Sequence, residues 1–227
     1  MMGALGIFSA TPVLPLAAAL PLGYALSWGL LLATACVFVC VRAMPNAHRM
    51  LGLGLAGVIV LSTLLPITRG WTAYLALAFQ TPSWVTLLAC MAMAVRHLRL
   101  DAASQNAPVP TVEGMPLTNV AARAGVCLGW ALWVDTFNRW PEGWDVSLYA
   151  WGFGATALWA VVFGVIVWIV WTWRVTRRVS CEQQVVVWAL LCFALTRWPS
   201  GNVWDALLDP WMWAVCHWRL ARRLFKA

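Results

Sequence analysis

The chain has 227 residues, of which 63% are hydrophobic and only 10% charged, and its formal net charge is +7. A soluble domain carries charged residues at a frequency near 25%, so this composition excludes a water-soluble exterior. The abundance of Leu, Val and Trp excludes a disordered chain. The basic residues stand at the ends of apolar runs, which is typical of membrane topology determinants and not of nucleic-acid binding. We therefore expect an integral membrane protein that contacts membrane lipids.

Seven apolar runs are candidates for membrane-spanning helices. They predict an all-α polytopic bundle, a single transmembrane domain over residues 1–227, with one leading helix followed by three hairpins. The predicted spans lie within Val13–Val41, Met50–Pro66, Trp71–Val95, Val120–Phe137, Val146–Trp173, Gln183–Thr196 and Val203–Trp218. The third span is interrupted at residues 80–82, and residues 99–118 are expected to form a polar cytoplasmic loop.

The positions of the basic residues predict the orientation of these spans. With the N-terminus outside, twelve of the fifteen Lys and Arg residues fall on the cytoplasmic side, and Arg69, Arg139 and Arg197 stand one in each outer loop. Because positive residues are retained on the cytoplasmic side of inserted helices, we expect a cytoplasmic C-terminus with a basic tail over residues 219–227. Anionic lipid headgroups are the expected partners at that face, and the bacterial inner membrane is the expected location.

The last span has an alternative. Asp209 and Pro210 form a good helix start, so the helix from this point could instead lie in the membrane interface. That arrangement would leave the basic tail outside, against the topology rule. We therefore expect a kinked span that continues into an amphipathic tail.

Two outer loops share a sequence pattern. Residues 139–145 read Arg-Trp-Pro-Glu-Gly-Trp-Asp, and residues 197–205 read Arg-Trp-Pro-Ser-Gly-Asn-Val-Trp-Asp, while the loop at Arg69 keeps only Arg, Gly and Trp. One explanation is hairpin construction, in which Arg complements a helix C-terminus, Pro and Gly make the turn, and Asp caps the next helix. The other is an outer pocket for a lipid headgroup or a solute, formed by Arg139, Arg197, Asp135, Asp145, Asp205, Asp209, Trp140 and Trp198.

No motif for a metal, a cofactor or an enzyme is present in the sequence. The seven cysteines form no Cys-x-x-Cys pair, so we expect them to pack as small hydrophobic residues. The three histidines, His48, His97 and His217, each stand beside Arg, which fits interfacial anchors better than haem ligands. Gly125 and Gly129 lie four apart, as do Gly52 and Ala56, and such small faces predict close helix contacts.

These observations leave two main hypotheses for function. The first is a small non-enzymatic accessory or scaffold subunit of a membrane assembly. The second is a transporter or a lipid-headgroup-binding protein that uses the outer cluster of Arg, Asp and Trp. A membrane enzyme has the least support, because no acid/base pair is set in a motif. A cavity in which the carboxylates and arginines converge would favour the second hypothesis, and a filled helical interior would favour the first.

Overall fold

The computed structural model describes residues 13–43, 49–64, 71–103, 117–137 and 147–225. Of these residues 83% are helical and none is in a strand, which confirms the all-α class. The α-helices in the described ranges are α1 (Leu20–Ala43), α2 (Arg49–Leu64), α3 (Trp71–Phe79), α4 (Trp84–Ala103), α5 (Asn119–Thr136), α6 (Leu148–Trp151), α7 (Ala155–Thr176), α8 (Cys181–Thr196), α9 (Val203–Leu207) and α10 (Pro210–Leu224).

Two of these helices are long and apolar enough to cross a membrane. They correspond to Ala17–Cys40 and Ala155–Thr176, and the bent pair of α3 and α4 would be a third if it counted as one span. The helices α2 and α8 are apolar but shorter. A membrane protein therefore fits the described helices, while seven crossings and their orientation stay predictions.

Breaks divide the returning helices of the predicted hairpins. The interruption expected at residues 80–82 is confirmed, since α3 ends at Phe79 and α4 leaves at 118° to it. A break is also present at Asp209, because α9 ends at Leu207 and α10 begins at Pro210; it fits both a kinked last span and an interfacial helix that starts at Asp209. The prediction of one continuous helix over residues 146–173 was wrong. The helix α6 ends at Trp151, and α7 is a separate helix with Gly154 at its N-cap.

The predicted loop and tail differ from the structure at their edges. The polar loop expected over residues 99–118 begins later, because α4 continues to Ala103, and residues 104–116 lie outside the described ranges. The basic tail expected from residue 219 is helical through Leu224, as the final turns of α10.

The described chain divides into two compact units. The first unit holds α5 to α10 together with residues 13–15 and 83–86, and the second holds α1, α2, α3 and the rest of α4. In the second unit α1 packs antiparallel to α2. A Cβ atom at Gly29 would lie 2.6 Å from Thr63 Oγ1, and one at Gly52 would lie 3.1 Å from Cys40 Cβ. The close contact predicted at Gly52 is therefore confirmed.

In the first unit, α5 packs antiparallel to α10. A Cβ atom at Gly125 would lie 2.8 Å from Cys216 Sγ, and one at Gly129 would lie 2.2 Å from Trp213 Nε1. This confirms the close contact predicted for the Gly-x-x-x-Gly face, and it shows that α10 runs along α5. The hydrophobic core of the unit lies among α7, α8 and α9, with the buried residues Ala157, Leu158, Leu190, Phe193, Val203, Trp204 and Ala206.

Candidate functional site

The polar residues that the sequence singled out lie at one end of the first unit. We call this end the polar cap and define it as Asp135, residues 147–152 and residues 197–209. It contains the short helices α6 and α9, of four and five residues, and neither is long enough to cross a membrane. Of the predicted site residues, Arg139, Trp140 and Asp145 lie outside the described ranges.

Asp135, at the end of α5, holds the start of α6. Its side chain is 8% exposed. Oδ1 accepts a hydrogen bond from the Leu148 amide at 3.0 Å, and Oδ2 accepts one from the Tyr149 amide at 2.7 Å and one from Ser147 Oγ at 2.9 Å. The first amides of a helix have no partner inside the helix, so a buried helix start needs such an acceptor. The carboxylate that looked like a binding group therefore closes a helix end.

Asp205 was expected to cap the last returning helix, and that expectation was wrong. The cap of α9 is Asn202, whose Oδ1 accepts a hydrogen bond from the Trp204 amide at 3.0 Å. The backbone is extended at Asn202 and already helical at Val203, so Asp205 falls inside the first turn. Asp205 Oδ2 instead accepts hydrogen bonds from Tyr149 Oη, at 2.8 Å, and from Ser200 Oγ.

Backbone contacts fasten the turn after α8 to the turn after α6. Asn202 Nδ2 donates to the Tyr149 carbonyl and Trp204 Nε1 donates to the Leu148 carbonyl, both at 2.8 Å. The Val203 amide donates to the Gly152 carbonyl at 3.0 Å. The sequence interpretation missed Asn202, although Asn before an apolar pair is a common helix cap and could have identified it.

Asp209 serves two helix starts at once. It is 5% exposed, and its Oδ1 accepts a hydrogen bond from the Met212 amide in the first turn of α10 at 2.6 Å. Its Oδ2 accepts one from the Ser83 amide, directly before α4, also at 2.6 Å. Both helix N-termini carry partial positive charge, which the carboxylate complements. The predicted cap at Asp209 is confirmed. Asp205 and Asp209 belong to different elements, since Asp205 lies in α9 and Asp209 precedes α10.

Arg197 and Trp198 lie at the end of α8. Arg197 is the C-cap residue in a left-handed conformation, with φ of 56°, and its amide donates to the Phe193 carbonyl at 2.7 Å. Its guanidinium lies over the Phe193 ring, 5.3 Å from the ring centroid. Both Arg197 and Trp198 are buried, at 5% and 6% exposed. The helix-end position predicted for Arg197 is therefore confirmed.

The other end of the first unit is basic. The turn from α7 to α8 lies there, and Glu182 accepts a hydrogen bond from the Thr118 amide, which joins the start of α8 to the start of α5. Because α10 is antiparallel to α5, its last turns reach the same end. The arginines of this basic end are Arg123, Arg174, Arg177, Arg178, Arg219, Arg222 and Arg223.

The one histidine whose side chain the structure describes is held by neighbouring aromatic residues. His217 Nε2 accepts a hydrogen bond from Trp130 Nε1 at 3.2 Å, and Nδ1 lies 2.9 Å from the Trp213 carbonyl oxygen. Both ring nitrogens are thus engaged within the chain. Across the described ranges no group of three or more His, Cys, Asp or Glu side chains could hold a metal ion.

No protein-family model, curated protein or solved structure matches this chain. The interpretation of the polar cap therefore rests on its own geometry.

Proposed function

We propose that the protein is a small multi-pass inner-membrane protein that acts as a non-enzymatic accessory or scaffold subunit of a membrane assembly. The observation that carries this proposal is the use of the carboxylates in the polar cap. Asp135, Asp205 and Asp209 each accept hydrogen bonds from helix starts or hydroxyl groups of the chain itself. These contacts favour hairpin construction over a ligand pocket.

The distribution of charge in the first unit supports the proposed orientation. Its polar cap contains three aspartates and Arg197, whereas the opposite end contains seven arginines and Glu182 among the described residues. A positive end retained in the cytoplasm would place the polar cap outside, as the sequence predicted. The two charge clusters are separated by α7, whose 22 residues extend over about 33 Å, close to the ~30 Å hydrocarbon core.

The order of the helices supports the proposed internal repeat. A long helix, a short helix, a break and a second long helix follow one another three times in the described ranges, as α2–α3–α4, α5–α6–α7 and α8–α9–α10. In each set, a capping residue precedes the second long helix: Ser83, Gly154 and Asp209 respectively. This order is the arrangement expected of three hairpins that follow the leading helix α1.

The outward surface of α7 is the proposed contact with other subunits. Phe163 and Trp171 are 69% and 72% exposed. Ala160 and Gly164 are exposed one turn apart on the same side, and a Cβ atom at Gly164 would meet nothing within 4 Å. A small residue on an apolar span lets a second helix approach closely.

The size of the extracted particle tests the scaffold function. Affinity-tagged protein extracted in a mild detergent should form a particle that contains further polypeptides besides its own 25.1 kDa chain. In Gly164→Leu the partner polypeptide should be lost from the particle, because the added side chain holds the partner backbone away. Val120→Leu, at an exposed position on α5 and so away from the proposed contact surface of α7, is the control. If the wild-type protein and both variants are all extracted from native membranes as monomers, the proposal is contradicted.

A second candidate function is transport or binding of an anionic headgroup. One observation favours it: the starts of α4 and α10 meet at one carboxylate, and in transporters with broken helices such N-termini face bound anions. In this protein the Asp209 carboxylate occupies the position that a bound anion would take between the two helix N-termini. Saturable thermal stabilisation of the wild-type protein by phosphate or acetate would favour this candidate. The scaffold function predicts no such stabilisation.

A further inference from the structure

An apolar groove runs along the surface of the first unit between α7 and α8. Its volume is about 230 Å³, and all ten of its lining side chains are apolar. Leu158 and Leu190, which are 3% and 6% exposed, form its floor. Trp159, Ile166 and Leu191 stand at its rim and are each about half exposed. The groove is therefore open to the surroundings of α7 and not enclosed in the core.

The length of the groove matches one leaflet of a bilayer. Along α7 it extends from Leu158 to Ile169, which are eleven residues apart and so separated by about 16 Å. Half of a ~30 Å hydrocarbon core is about 15 Å. The groove begins one turn from the start of α7 and ends beyond its middle, so most of its length lies in the leaflet next to the polar cap.

The shape of the groove suits a thin chain better than a second helix. A helix with its side chains is about 10 Å wide and approaches another span closely only where both present small residues. Ala194 is the one small residue that lines this groove, and the bulky rim would hold a helix backbone away. The volume equals about eight groups of ~30 Å³, close to the size of a methylene or a water molecule. A stretch of acyl chain is thin enough for this groove and matches its volume.

We propose that this groove binds one acyl chain of a membrane phospholipid as a structural lipid. This inference rests on the proposed membrane location but not on the scaffold function. Because the lining is wholly apolar, recognition is of the chain and not of the headgroup. The bound chain would cover Leu158 and Leu190, which belong to the hydrophobic core of the unit.

Native mass spectrometry of the purified protein tests this proposal. After exchange into a detergent and addition of phosphatidylcholine or phosphatidylglycerol with the same oleoyl chains, one lipid should remain bound per chain, equally for both headgroups. Ala194→Phe should fill the groove and reduce the bound fraction at least tenfold. Val120→Phe is the control: this exposed residue lies on α5, outside the lining of the groove, and the variant should bind lipid as the wild type does.

A second variant covers the case in which Ala194→Phe does not fold. Leu191→Trp changes an exposed rim position, so the fold should tolerate it, and the larger ring should close the groove with the same loss of lipid. Wild-type protein without bound lipid would overturn the proposal, as would full binding by either groove variant. If the groove variants instead lose a protein partner and keep the lipid, a helix occupies the groove. Failure of the scaffold function alone would leave lipid retention by a monomer intact.

Discussion

Backbone amides and side-chain hydroxyls make different demands on a carboxylate, and the polar cap contains both cases. An amide can only donate, so the oxygen opposite it must accept. A hydroxyl can donate or accept and rotates to suit its partner. Asp135 accepts from a backbone amide at each of its two oxygens, with the Ser147 hydroxyl as a third donor, whereas Asp205 accepts from two hydroxyls through Oδ2. The two residues should therefore respond differently to the same substitution.

Replacement of each aspartate by asparagine tests this difference. Asp135→Asn places an amide NH₂ group against a backbone N–H, and we expect a loss of about 1–3 kcal/mol in the free energy of unfolding. In Asp205→Asn the amide oxygen can take the place of Oδ2 and keep both hydroxyl bonds, so the loss should stay below about 1 kcal/mol. Unfolding in detergent measures both values. Equal losses would show that the two carboxylates have equivalent roles.

At the scale of helices, small residues decide which surfaces meet within the chain. Gly129 faces Trp213, whose Nε1 also donates to the Val126 carbonyl at 3.5 Å. Gly164 faces open space. Alanine has the higher helix propensity, so the same substitution should have opposite signs at the two positions.

Gly129→Ala should destabilise the protein by about 1–3 kcal/mol, because the indole of Trp213 must move to admit the new methyl group. Gly164→Ala should be neutral or stabilise by up to about 1 kcal/mol. The free energy of unfolding in detergent measures both changes, and a neutral Gly129→Ala would contradict the packing of α5 against α10.

The sequence predicted where most helices lie because lipid forces the backbone to bond within each apolar segment. Breaks that involve proline, at residue 82 and residue 210, were also predictable, since proline cannot continue a helix from the preceding turn. The break after Trp151 was not, because its residues lie inside an apolar run. The residues packed against this break are distant in sequence: Asn202 and Trp204 lie so close to Gly152 that a Cβ atom there would meet both.

The polar cap was predictable only where its contacts are local. The cap at Asp209 and the helix-end position of Arg197 follow from residue types at helix termini. The contact of Asp209 with Ser83 joins residues 126 apart in sequence. Its donor is a backbone amide, which every residue except proline possesses, so no sequence pattern indicates it. The same reasoning applies to Asp135 and the amides of α6.

At the scale of the whole molecule, the account depends on how many times the chain crosses the membrane. The helices α2, α8 and α10 have 16, 16 and 15 residues and extend over about 22–24 Å each, less than the ~30 Å hydrocarbon core. A chain can cross with such helices by local thinning of the bilayer or with the help of flanking residues.

The side of the membrane on which each terminus and loop lies tests this account most directly. We would fuse a reporter that is active only in the cytoplasm after Ala227, and insert a reporter that is active only outside at Gly143, each in the full-length chain. Seven crossings with the basic end inside predict activity from both reporters. An inactive cytoplasmic reporter, combined with activity of the external reporter at Ala227, would place the C-terminus outside and contradict the seven-span orientation.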